Sequence, residues 1–188
     1  MVGSGAYDVE TKGEHGLQKS HLELAIVGKE IVDGKTGHWT EWTMVDPDSG
    51  ENVYIKHLIM PAGKDTVVQR MIMQAPGMPQ PMEMSMEMAR HGGRAAEQAA
   101  EVREKADRIG SESVTTPAGT FRCEHLRMRD GSGDVWISDR VGPWGLVKKE
   151  GKDSSLTLTR LITGDKTRIT GTPQKLDLME MMRKSGKP

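Results

Sequence analysis

Cysteine and phenylalanine each occur once in these 188 residues, and tyrosine twice. A single thiol, Cys123, excludes an intrachain disulfide. Aromatics at 4% and hydrophobic residues at 35% leave little material for a thick two-layer core and favour a thin or open sheet. Charge of one sign is missing too: 26 basic against 27 acidic residues give a formal net charge of -1. That balance removes the electrostatic footing for a nucleic-acid or anionic-membrane partner. No apolar run approaches the roughly 20 residues of a membrane-spanning helix, so the chain is not expected to be transmembrane. The opening MVGSGAYDVE has neither the basic start nor the apolar centre of a signal peptide.

Catalytic signatures are also lacking. There is no HExxH, no G-x-S-x-G elbow, no Walker-type phosphate loop and no complete GxGxxG. GSGDVW (Gly131 to Trp136) lacks the final glycine and opens a strand. DPDSGE (Asp46 to Glu51) has acidic residues at the first and third positions of a calcium loop, but its glycine is one place early and His57 stands where a bidentate glutamate is needed. It predicts a hairpin turn. Glu41, between Trp39 and Trp42, is the carboxylate of most interest; on a strand it shares a side with Trp39, with Trp42 on the other, and is expected at the rim of an apolar patch. Nothing here indicates an enzyme or a cofactor.

What is present is strand pattern. LELAIVGKEIV, TGHWTEWTMV, ENVYIKHLIM and DTVVQRMIMQ, within 1–74, are rich in β-branched and aromatic residues and separated by short turns. Asp33-Gly34 is a two-residue hairpin signal, because a type I′ turn needs positive φ. A second β-meander is expected over 110–171, from SESVTTPAGTFRCEHLRMRD, GDVWISD, WGLVKKEG and SSLTLTRLITG. Between them, 75–109 predicts a Met-rich linker and a helical insertion. RAAEQAAEVREKADRI is rich in helix formers and sets Glu101/Lys105 and Glu104/Arg108 at i,i+4. Over 172–188, Thr172-Pro173 followed by an apolar arc of Leu176, Leu178, Met179 and Met182 predicts a C-terminal helix. The fold expectation is a single domain, mainly β (α+β): a curved antiparallel sheet with a helical insertion and a C-terminal helix.

TPAGTFRCEHLRM (Thr116 to Met128) followed by DVWISDRVGPWGLVKKE (Asp134 to Glu150) resembles uncharacterised families of exported bacterial proteins. Those families are similar in turn to the half-barrel periplasmic lipoprotein carriers. The resemblance implies a periplasmic or envelope location, with a signal or lipid anchor upstream of this sequence. It also implies a non-enzymatic role, holding a lipid, an acylated protein or another amphiphile in the concave face of a half-barrel. The expected wall is Met78, Met82, Met86, Trp136, Trp144, Leu178, Met179 and Met182. A structural or partner-binding envelope module is the blander alternative.

Seven of the fourteen methionines lie between Met71 and His91. Met82, Met84, Met86 and Met88 alternate, so an extended backbone would bring all four to one face. Thioethers favour Cu(I) or Ag(I), and His91 would add an imidazole. Adaptable packing of a lid is the plainer explanation of the same pattern. On a helix, positions i and i+2 diverge by about 200°, so the metal alternative requires a strand. Cys123 and His125 share one side of a predicted strand and supply half of a metal site. His21, His38 and His57 fall on three different predicted strands.

Overall fold

A computed structural model describes residues 4–13, 16–46, 49–62, 65–84, 102–163 and 166–175. They form twelve strands: β1 (Ser4–Gly13), β2 (Gly16–Val32), β3 (Lys35–Val45), β4 (Asn52–Ala62), β5 (Asp65–Gln74), β6 (Met82–Met84), β7 (Ala106–Thr116), β8 (Gly119–Met128), β9 (Asp134–Ile137), β10 (Leu146–Glu150), β11 (Ser154–Ile162) and β12 (Gln174–Lys175). All belong to one sheet, in the order β12-β6-β5-β4-β3-β2-β1-β11-β10-β9-β8-β7. Two meanders, β1–β6 and β7–β11, are therefore zipped together along β1 and β11, where Tyr7 opposes Leu158. Every pairing is antiparallel except that of β12 with β6. Chain order and short turns impose this arrangement within each meander. Asp33 and Gly34 have φ of 49° and 74°, as the β2–β3 turn requires.

The seam holds the main core. Tyr7, Leu24, Phe121, Cys123, Trp136, Val141, Val147 and Leu158 pack together, and β7 returns close to β11, so this half of the sheet curls around them. Tyr7 donates its hydroxyl proton to the Leu146 carbonyl at 3.0 Å, which ties β1 to β10 across the curl. A second cluster, Trp39, Leu58, Met60, Ile72 and Ile169, lies over the first meander.

The expectation of helices is corrected. Among the described residues there is none, and so none that is long and apolar enough to cross a membrane. Ala106 to Ile109, assigned to the end of a helix, open β7, where Ala106 opposes Met128 and is buried. Arg108 then reaches across to Glu124 at 3.0 Å and not back to Glu104. Cross-strand pairing and burial outweigh helix propensities that differ by only about 0.7 kcal/mol per residue. Thr172 and Pro173 lead into β12, where the Gln174 amide donates to the Pro81 carbonyl at 2.9 Å. A proline φ suits an extended segment as well as a first helical turn. Val102 to Lys105, also assigned to the first helix, form a turn closed by the Lys105 amide donating to the Val102 carbonyl at 3.2 Å, and 85–101 and 176–188 lie outside the described residues.

Candidate functional site

Strand register lines up two cross-strand rows on one side of β2–β6. Leu24, Trp42, Ile55, Met73 and Met82 form the first; Ile26, Thr40, His57, Met71 and Met84 form the second. Opposed residues in antiparallel strands project together, and residues two apart share a side. The wall is apolar except at Thr40, Trp42 and His57. Thr40 Oγ1, Trp42 Nε1 and both ring nitrogens of His57 are buried without a hydrogen-bond partner. Thr40 and His57 are each only 3% exposed. Leaving such a group unpaired costs about 1–3 kcal/mol, so a molecule or ion that supplies partners is correspondingly favoured. Burial pushes the His57 pKa down to about 4, so the ring is neutral at pH 7, with one donor and one acceptor nitrogen.

The other meander closes over this wall. The β9–β10 connection, braced by Ser138 N–H to Gly145 O at 2.7 Å, carries Trp144 onto Trp42, with ring centroids 6.0 Å apart and edge-on. Trp42 is also edge-on to His57 at 5.7 Å. Ile59 and Val68 pack against the same two indoles.

The opposite side of β2–β6 is already occupied. Residues 166–173 form a strap across it, and Ile169 is buried against Trp39, Leu58 and Ile72. Glu41 holds the strap: its carboxylate accepts the Thr167 hydroxyl at 2.5 Å and the Arg168 amide at 3.0 Å. Arg168 extends the clamp to Thr43 and Glu23, and the Thr170 amide donates to Gln74. Glu41 is thus 2% exposed and structural, not the rim carboxylate expected. Glu83, Arg70 and Glu30 form an ion-pair chain on this same side, with Arg70 over the Trp39 ring.

Trp136 belongs to the seam core. Its Nε1 donates to Glu112 at 2.6 Å, and it stacks on His125 with centroids 4.5 Å apart. Cys123 and His125 do lie on β8 as expected, but no group of three His, Cys, Asp or Glu able to hold a metal occurs among the described residues. Burial and then the neighbouring Glu112 carboxylate push the Cys123 thiol up to about 11, so it is protonated at neutral pH. His21 pairs with Asp8 at 3.0 Å and with neither His38 nor His57. Asp46 accepts the Ser49 amide at 2.8 Å in the hairpin turn expected there.

Of the expected wall, Met82 closes the row that begins at Leu24 and includes Trp42, Trp144 packs edge-on against Trp42, and Met78 sits half-buried in the β5–β6 turn. Met86, Leu178, Met179 and Met182 lie outside the described residues, as do Met88 and His91 of the metal alternative. Thr40, Trp42 and His57 were not singled out together by the sequence. The period-2 pattern of TGHWTEWTMV and ENVYIKHLIM places them on strands, but only the register makes Thr40 and His57 neighbours.

No protein-family model and no curated protein matches the chain. Similar solved structures include a candidate lipoprotein from Parabacteroides distasonis, at 16% identity over 86% of this chain and 96% of that one, with a TM-score of 0.38. A candidate exported protein with a YmcC-like fold from Bacteroides fragilis is 12% identical over 86% and 95%, with a TM-score of 0.39. MucB, solved in complex with MucA(peri), is 14% identical over 88% of this chain but 51% of its own, with a TM-score of 0.43. The chain spans about half the length of MucB. The family expected from the TPAGTF and WIS motifs is matched by no family model. The two Bacteroides and Parabacteroides structures share only its coarser description, lipoprotein or exported protein, and with TM-scores below 0.5 none of the three carries a function across.

Proposed function

We propose that the protein is a non-enzymatic binding module of the cell envelope that holds an amphiphile, a lipid or the acyl group of an acylated protein, against the Trp42 and Trp144 end of its inner wall. The observation that carries this reading is the pair of buried, unpartnered groups, Thr40 Oγ1 and Trp42 Nε1, set in otherwise apolar rows. Sites for small amphiphilic molecules have that composition: mostly apolar lining, with a few polar groups that fix orientation. Envelope location rests on the TPAGTF and WIS motif resemblance.

A fluorescent acyl probe is expected to bind the purified chain in a saturable manner. Ile55→Glu, which places a charge in the middle of a wall row, should abolish binding. Thr40→Val with Trp42→Phe removes the hydrogen-bonding atoms and keeps the apolar bulk, and should weaken affinity roughly tenfold, as two lost hydrogen bonds predict. Failure of any long-chain probe to bind, together with no lipid copurifying, would overturn the reading.

A further inference from the structure

The β5–β6 pairing gathers four thioethers beside His57. Met71 opposes Met84 and Met73 opposes Met82, while His57 opposes Met71 from β4. Opposed Cβ atoms lie about 5 Å apart and alternate ones on a strand about 7 Å, so these long side chains can converge on one ion. Met71 is 5% exposed and the other three are half-buried, which leaves the group sheltered but reachable. His57 is an independent sign of a ligand. It is 97% buried, projects from the same side, and uses neither ring nitrogen in a hydrogen bond. The carboxylates of the neighbouring strands project to the other side, where Glu41 holds the strap and Glu83 holds Arg70.

Thioethers and a neutral imidazole, on a wall without carboxylates, suit a soft monovalent cation and give a hard dication nothing to bind. We propose that Met71, Met73, Met82, Met84 and His57 form a binding site for one Cu(I) or Ag(I) ion. This site differs from the expected Met82, Met84, Met86, Met88 and His91 set, because half of its sulfurs come from β5 and its imidazole from β4. It lies over β4–β6, where His57 borders Trp42, and its formation does not require an amphiphile at the Trp42 and Trp144 end.

The experiment is titration of the full chain with Ag(I) in chloride-free buffer and with Cu(I) under anaerobic reducing conditions, against a chromogenic competitor. One equivalent is expected to bind with affinity tighter than about micromolar. Replacing Met71, Met73, Met82 and Met84 by leucine, close to them in volume, should weaken binding by more than roughly tenfold. His57→Leu should also weaken it, and Met86→Leu with Met88→Leu and His91→Leu should not. Ag(I) should shift the 13C-methyl signals of Met71, Met73, Met82 and Met84 in the unmodified chain, a readout that survives misfolding of any variant. Unchanged affinity in the four-leucine variant, loss only in the Met86, Met88 and His91 variant, or methyl shifts confined to other methionines would overturn the proposal. The acyl-probe result is read separately, so either site can fail without the other.

Discussion

His57 is a titratable side chain taken almost wholly out of water, at 3% exposed. Thr40 and Met71 flank it across the strands and Trp42 meets it edge-on, with no charge facing it from these elements. Its folded pKa of about 4 lies below the ordinary 6.5. Between those values the unfolded chain takes up a proton that the folded chain refuses, so this stability is complete above pH 6.5 and is lost as pH falls towards 4. The full loss is on the order of 3 kcal/mol. Chemical denaturation of the metal-free protein from pH 7.5 to 4.5 should show that slope, and His57→Leu should flatten it. Glu83 and Asp134, held low chiefly by the hydrogen bonds from Arg70 and Arg127, lose their contribution only at lower pH, through and below the usual carboxylate range. Gly133 is another residue with a sharp local demand. Its φ is +129°, and a Cβ there would lie 2.7 Å from the Gly151 Cα and meet the Glu150 carbonyl, neither of which is a movable side chain. Gly133→Ala should cost about 2 kcal/mol or more in a urea titration.

At the level of the element, the strap is the part whose stability hangs on one carboxylate. Removing Glu41 leaves the Thr167 hydroxyl and the Arg168 amide without their acceptor. Glu41→Ala is expected to cost about 1–3 kcal/mol. The more specific outcome is local: hydrogen exchange should accelerate at Arg168 and Gln174, while β8 amides stay protected. Nine of the twelve strands could be read from alternation and turn signals, because those strands have one apolar side and well-marked ends. β1 could not, since SGAYDVETKG is a poor strand sequence alone and becomes one by pairing with β2 and β11 at once. β6 and β12 are too short for any pattern to register and exist through each other and β5. The helix expected over Arg94 to Ile109 failed at its end for the converse reason: good local helix formers were outbid by a waiting partner strand.

Over the whole molecule, the β1–β11 seam decides whether two meanders behave as one body. Tyr7 and Leu158 are fully buried in it, and the core they share draws on both halves. Leu158→Ala should cost about 2–5 kcal/mol. Both halves should still lose structure in one transition, checked by comparing far-ultraviolet circular dichroism with tryptophan emission from the two meanders. Separate transitions would show that the seam does not couple them. The TGHWTEWTMV and ENVYIKHLIM alternation, the Asp33-Gly34 turn, the near-balance of charge and the lack of an intrachain disulfide or catalytic motif were all determined by the sequence itself, because each follows from local geometry or composition. The alternating methionines were equally legible there, and so was the condition that a metal reading needs them extended. Which groups face them was decided only by the tertiary structure. Pairing register is a long-range property, and it set Met71 and Met73 beside Met82 and Met84, turned His57 towards them without a hydrogen bond, and sent Glu41 to the other side of the sheet.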